Sequence, residues 1–529
     1  MLSGQPIIIL KENVERNRGQ EAQRSNIMAA KAIAGAVRTT LGPRGMDKML
    51  VSPSGDVVIT NDGATILKEI AVQHPGAKMV IEVAKAQDEE VGDGTTTAVV
   101  LVGSLMEKAE LMLAKKIHPT VITQGYRMGM EKALEILDDL SVKVKPTDRD
   151  ILIRIADTAM TGKSIEQVKT KVDEIAVDAV MTVAEKVGTK YRVDEDNVMI
   201  KKQRGETMND AELIRGVVID KARLSEDMPR KVTNAKVALV SGPLEIKKTQ
   251  VKAKIKISST EQVNAFSMQE RETLKKFSDS IVAVGANVLL CQKGIADSVQ
   301  FYLSKAGIFA IEDIPEKDMQ FAAKALSATI VNKVNDLTEK DLGEAELVEQ
   351  DDDVDLVKIS GCKNPQAVTI LLRGSTDYLL DELERAVFDG TRVVMDVMED
   401  EKYVAGGGAV ETELLIKVRE YASTVGGRIQ LAIEAYADSF EVIPLTLAEN
   451  SGYNQIDKLV DLKTAHAKGM KHGGLNVFTG KIIDMEKEGV IEPSRSKRQA
   501  IQSSAEAAMM LIRVDDMMVT MEKSKFPGR

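Results

Sequence analysis

Tryptophan is absent from this 529-residue chain, phenylalanine and tyrosine together supply only 3% of it, and there are just two cysteines and four histidines. Two cysteines, Cys291 and Cys362, cannot build a disulfide framework, and no Asn-x-Ser/Thr acceptor occurs; both absences suit a reducing cytoplasm. No apolar run approaches the roughly 18 residues that a membrane span needs, and residues 7–10 are too short a run for the core of a secretory leader. The expectation is a soluble cytoplasmic protein with no membrane partner. Positive charge is also short. The net charge of −10 and pI near 5.3 argue against a nucleic-acid-binding surface as the main function. Missing too are a G-x-x-x-x-G-K-[ST] phosphate loop, a G-x-G-x-x-G turn after a strand, paired metal-ligand histidines and a C-x-x-C pair, so the common nucleotide folds are disfavoured.

What is present is an ordinary globular composition, 43% hydrophobic and 29% charged, in a chain long enough for about three domains. Ile27, Ala30, Ala34, Val37 and Leu41 recur at alternating steps of three and four, which predicts an amphipathic helix over 20–41 stopped by Gly42-Pro43. Similar stripes predict helices over 97–115 and 120–140. From about 215 to 370 strands and helices alternate: 237–240, Val288–Cys291 and 308–311 are apolar runs of strand length, with an amphipathic helix near 295–306 between the last two. Long helices return over 411–425, 428–450 and 497–520. Helical ends around a mixed middle predict a discontinuous domain carrying an insertion.

The most informative stretch is 92–97, Gly-Asp-Gly-Thr-Thr-Thr, where a helix begins. Glycines let phosphate oxygens approach the backbone, the helix start supplies unpaired N–H groups and partial positive charge, and Thr95, Thr96 and Thr97 add hydroxyl donors. Asp93 adds a hard carboxylate able to hold magnesium on phosphate oxygens. By itself such a turn is more often a plain helix entry. Leu41-Gly42-Pro43-Arg44-Gly45 is a second glycine-rich, basic turn, or simply a helix C-cap. Asn61-Asp62-Gly63 is first of all a hairpin signal, although Asp62 also offers a carboxylate for a metal shell or an attacking water. Thr161-Gly162-Lys163 can bring an ammonium to a terminal phosphate. Residues 405–408, Ala-Gly-Gly-Gly, read as a flexible turn near a ligand or as a hinge. Asp389 lies on a helix-like stretch, where a lone carboxylate usually faces solvent.

Two segments read differently. Residues 251–257 alternate apolar side chains with Lys252, Lys254 and Lys256, and a stripe of Val263, Phe266, Leu274, Phe277, Ile281 and Val284 follows, ended by Gly285. It is a core helix with a solvated tip, or a projection whose exposed Phe266 and Met268 meet another chain. The acidic run 344–355 lacks the glycine and terminal glutamate of a calcium loop and reads as a solvated loop.

Taken together these pieces resemble the group II chaperonins, the archaeal thermosome and eukaryotic cytosolic type. The resemblance runs end to end through TTLGPRGMDKML (39–50), VITNDGATIL (58–67), EVGDGTTTAVV (90–100), MTGKS (160–164), GANVLLCQKGIAD (285–297), AGGGAVE (405–411), GLNVFTG (474–480) and QAIQSSAEAA (499–508). It implies a multidomain α and α/β protein. A mainly helical, discontinuous equatorial domain (1–145 and 405–529) would bind ATP. An α/β intermediate hinge domain (146–215 and 370–404) would join it to an α/β apical domain (216–369) with a helical protrusion at about 245–280. The resemblance further implies an ATPase that captures unfolded protein in two stacked rings of identical or sister subunits, with no separate co-chaperonin lid. By position, Asp93 would bind magnesium, and Asp62 and Asp389 would position and deprotonate the attacking water. Leu41, Gly42, Pro43, Gly94, Thr95, Thr96, Thr97, Thr161, Gly162, Gly407 and Gly408 would contact nucleotide. Lys163 would sense the terminal phosphate, with Asn476 and Glu492 near the adenosine. Gly390 stands where the family usually has alanine, which is expected to loosen that helix by up to about 1 kcal/mol. The chain's last residues, 525–529, lack the Gly-Met-rich tail common in archaeal members.

Two other functions compete. A magnesium-dependent metabolic phosphotransferase would be a compact monomer or dimer and gives no reason for an exposed Phe266/Met268 helix. A ring scaffold that binds ATP without hydrolysing it is opposed by Asp62, Asp93 and Asp389 occurring together.

Overall fold

The computed structural model describes residues 14–52, 55, 57–162, 169–205, 207–246, 260–351, 355–363 and 365–520. The chain divides into two compact units, Met1–Asp173 with Arg385–Arg529, and Glu174–Glu384.

The first unit is helical, and its centre is the helix Thr95–Ala114. Every residue from Thr95 to Met106 is buried, as expected for a helix apolar on all sides. Around it pack Gln20–Arg38, Pro75–Val91, Gly427–Ser439 and Ser494–Arg513. Glycine permits the closest approach: a Cβ on Gly103 would fall 2.3 Å from the Cβ of Ala34. Tyr126, Tyr436 and Phe440 form a run of tilted and edge-on rings 5.7 and 5.4 Å apart, and the Tyr126 hydroxyl donates to the Leu105 carbonyl at 2.7 Å.

Several predicted boundaries shift for identifiable reasons. The helix expected over 428–450 is two helices, Gly427–Ser439 and Val442–Asn450. The break puts Pro444 in a first turn, where its missing N–H costs nothing, rather than inside a helix. The helix expected to run to 520 stops at Arg513, and Asp516–Thr520 is a strand antiparallel to Val14–Arg18, with Arg16 donating to Asp516 at 2.9 Å. Two-stranded pairing of Lys48–Val51 with Val57–Thr60 makes a hairpin; Asp62-Gly63 is not its turn but the start of the helix Gly63–Glu69.

The second unit is built on a mixed sheet in the order Phe309–Ile311, Val288–Cys291, Lys231–Val240, Gly343–Gln350, Val357–Ser360, Val217–Ile219, with Ile330–Val331 also paired to Lys231–Val240. The predicted β-α-β rhythm is present: Val288–Cys291 and Phe309–Ile311 are parallel neighbours joined through the helix Asp297–Lys305. The acidic segment corrects the loop expectation over most of its length. Gly343–Gln350 is a strand pairing on both sides, because Gly343 and Ala345 are buried while Glu344 and Glu346 are exposed, the two-residue period of a half-buried strand. A separate sheet places Val368–Gly374 between Val198–Arg204 and Glu212–Ile214.

Helix Thr260–Ala283 divides the stripe read from the sequence. Leu274, Ser278 and Ile281 are buried, whereas Met268 is 63% exposed. The lysine-faced stretch 251–257 and the Phe266 side chain lie outside the described residues. No helix among the described residues is long and apolar enough to cross a membrane.

Candidate functional site

Sequence-distant glycines converge on one cavity of about 630 Å³ in the first unit, a size typical of small-molecule sites, ~300–1,000 Å³. Helix Pro75–Val91 ends on Gly92 (φ 71°), and Gly94 (φ 78°) caps Thr95–Ala114 without any side-chain hydrogen bond to its first turn. That helix begins two residues earlier than predicted, so Thr95, Thr96 and Thr97 are its whole first turn and present uncapped N–H groups. Gln87, fully buried, holds the turn from behind by donating to the Asp93 carbonyl at 2.8 Å and the Ser496 carbonyl at 3.2 Å.

A second helix start reaches the same cavity. Gly408 (φ 78°) caps Ala409–Val425, again with no side-chain cap, and lines the cavity beside Gly407. The sequence signalled only a flexible turn here. Two uncapped helix N-termini at one cavity make a strong anion site.

The Asp62 carboxylate accepts from the backbone N–H groups of Ala64 (3.4 Å) and Thr65 (2.7 Å) and from the Thr95 hydroxyl (3.4 Å). Such a ring of donors holds it still. Asn61 donates to the Gly162 carbonyl at 3.0 Å, anchoring Thr161-Gly162 against the Leu41-Gly42-Pro43 turn. Gly162 has φ +86°, and a Cβ there would lie 2.6 Å from the Pro43 Cα. Gly162→Ala is therefore expected to displace this wall, costing ~1–3 kcal/mol in backbone strain and weakening ligand binding; equilibrium nucleotide binding checks it.

Asp389, on helix Asp377–Asp400, is half-buried and lines the cavity rather than facing bulk solvent. Its neighbour Gly390 acquires a reason. An alanine Cβ would fall 2.0 Å from the Met160 Cε, so the buried Met160 fills the space that an alanine would occupy.

At the other end, Asn476 accepts from the N–H groups of Phe478 and Thr479 at 3.1 and 3.0 Å, shaping the turn after strand Gly473–Leu475. Glu492 lies on the strand Ile491–Pro493, next to Val404. Lys497 bridges Glu492 at 2.9 Å and the buried Glu411 at 2.8 Å. Burial pushes the Glu492 carboxyl above its ordinary value, against the opposing pull of Lys497. Desolvation opposes the Lys497 charge, but its two carboxylate partners raise its pKa overall.

Leu41, Gly42, Pro43, Asp62, Asp93, Gly94, Thr95, Thr96, Thr97, Thr161, Gly162, Asp389, Gly407, Gly408, Asn476 and Glu492 all line this cavity; Lys163 lies outside the described residues. Sequence reasoning missed Asp157, Lys169, Phe478 and Lys497, which line it too. For Lys497 a signal existed: it shares the buried face of its helix with Ala500 and Ile501, where a lysine interrupts the apolar pattern. Among the described residues no group of three or more His, Cys, Asp or Glu side chains could hold a metal. Magnesium characteristically takes one or two carboxylates plus substrate phosphates instead, and Asp93 beside two anion-binding helix starts fits that mode.

The model of the TCP-1/cpn60 chaperonin family matches residues 33–522. The chain belongs to this family. Chaperonin relatives match it over essentially their whole length: a thermosome subunit beta of Archaeoglobus fulgidus is 51% identical over 100% of this chain and 97% of its own. A thermosome subunit of Pyrococcus horikoshii is 52% identical over 99% and 96%, and a thermosome subunit beta of Thermococcus kodakarensis 52% over 100% and 97%. This is a group II chaperonin subunit of the thermosome type, and ATP-driven protein folding is the role of that family.

Proposed function

We propose that the cavity is the magnesium-ATP site of this chaperonin, and that hydrolysis there drives enclosure of an unfolded client in a double ring of subunits in the cytoplasm. The observation that carries the reading is the meeting of two uncapped, glycine-started helices with Asp62, Asp93 and Asp389 at one cavity. Phosphoryl transfer to water asks mainly for positioning and charge neutralisation. The N–H groups of residues 95–97 and the Thr95–Thr97 hydroxyls would bind phosphate oxygens, and Gly408 would let the second helix start approach them. Magnesium, held by Asp93, would neutralise phosphate charge and orient the phosphates. Asp62, already accepting three hydrogen bonds, suits orienting the attacking water; Asp389 would take its proton. Asn476 and Glu492 would face the adenosine.

Within the two compact units we read three functional parts: an equatorial domain from both chain ends, a hinge domain at 146–215 and 370–404, and an apical domain at 216–369 with its protrusion serving as the lid. Assembly has its own support. Among the described residues the hairpin of Lys48–Val51 and Val57–Thr60 is two strands wide, and Met49, Val51 and Ile59 are 66%, 65% and 39% exposed. Met49 pairs with Ile59, so these side chains share a face. Such a ribbon is marginal alone and offers free edges for pairing with another copy.

The test is native mass. Two rings of eight 57.6 kDa chains give roughly 0.9 MDa as a closed symmetric assembly; a stable monomer would defeat the reading.

A further inference from the structure

The cavity wall carries an excess of negative charge toward a ligand that is itself negative. Among the described residues its charged side chains are Asp62, Asp93, Asp157, Asp389, Glu488 and Glu492 against Lys169 and Lys497. Lys497 is committed to two glutamates. The proposed chemistry uses Asp62, Asp93 and Asp389, but it has no task for Asp157, whose carboxylate would only repel a triphosphate.

Lys169 answers that carboxylate. It is the first described residue of helix Lys169–Val183. Its ammonium lies 2.6 Å from Asp157 Oδ1, and its side chain is only 15% exposed. The same ammonium donates to the Thr161 hydroxyl, which in turn donates to the Asp157 carbonyl at 2.5 Å. Asp157, Thr161 and Lys169 thus form a closed hydrogen-bonded ring in the wall, continuous with Gly162 and its anchor Asn61.

We propose that Lys169 is a positioning residue for ATP: it cancels the charge of Asp157 and braces Thr161, so that the Thr161-Gly162 wall accepts the terminal phosphate. The inference rests on the nucleotide reading of this cavity. Its signature is discrimination. Without Lys169 the bare carboxylate acts most strongly on the phosphate that ATP has and ADP lacks. One uncompensated charge at roughly 10 Å, in the effective dielectric of a protein surface, changes affinity by about tenfold.

The experiment is calorimetric titration of magnesium-ATP and magnesium-ADP into the assembled protein as wild type, Lys169→Met, Asp157→Asn and the double variant. Lys169→Met is expected to weaken ATP by about tenfold and ADP by less than about threefold. Asp157→Asn should bind ATP at least as tightly as wild type, and adding it to Lys169→Met should restore ATP affinity to within about threefold. The proposal is overturned if Lys169→Met binds ATP like wild type, if ATP and ADP weaken equally, or if the double variant stays as weak as Lys169→Met, which would put the ammonium directly on the phosphate. Should Lys169→Met fail to assemble, Asp157→Asn decides by itself, since weaker ATP binding there contradicts charge cancellation. A wild type that binds no ATP would instead remove the nucleotide reading.

Discussion

Asp389→Ala is expected to bind ATP nearly as well as wild type and to hydrolyse it about 10²–10⁴-fold more slowly, the usual contribution of a positioned general base. The carboxylate lines the cavity from helix Asp377–Asp400, whereas the phosphate-binding groups proposed here belong to other segments and survive the substitution. Asp62 cannot readily replace it, because its oxygens are already engaged by Ala64, Thr65 and Thr95. Single-turnover hydrolysis measured beside equilibrium binding separates the two steps. Hydrolysis at the wild-type rate would remove Asp389 from the proposed chemistry, and a matching loss of binding would make it a structural residue.

The second large effect concerns helix Thr260–Ala283. Its C-terminal half is anchored by Leu274 and Ile281, while Met268 is exposed. Replacing residues 250–270 by a short Gly-Ser linker is therefore expected to leave a folded, assembled ATPase that no longer refolds clients requiring enclosure. In the proposed lid, covering apolar tips against neighbouring subunits on closure would contribute on the order of 1–3 kcal/mol per side chain, repeated around a ring, and the variant would lack all of it. Client refolding and protease protection with ATP give the readout. Retained enclosure would sink the built-in lid. Extending the deletion through Ile281 should instead unfold the second unit, because it removes core.

Much of this protein was legible because its signals are local. Gly92, Gly94 and the threonines announce a helix start by backbone conformation alone, and the apolar periods of 97–115 and 120–140 announce core helices. Where the sequence misled, a partner distant in the chain decided. Residues 516–520 are a strand only because Val14–Arg18 lies alongside, and the acidic run 344–350 is a strand because Lys231–Val240 and Val357–Ser360 flank it. Pro444 was a local signal overlooked in a strong helical stripe.

The sequence by itself determined the family, through many separated motifs in order, and with it the expectation of ATP chemistry at residues 41–43, 62, 93–97, 161–163, 389, 407–408, 476 and 492. Only the tertiary structure decided how those residues meet. It showed that Gly408 starts a second helix at the wall of the same cavity, that Asp62 is held by three donors, that Met160 fills the space beside Gly390, and that Asp157 is answered by Lys169. The physical reason is range. Helix starts, periods and turns are encoded within a few residues, whereas charge compensation and close packing depend on atoms that only the folded chain brings within a few ångströms of one another.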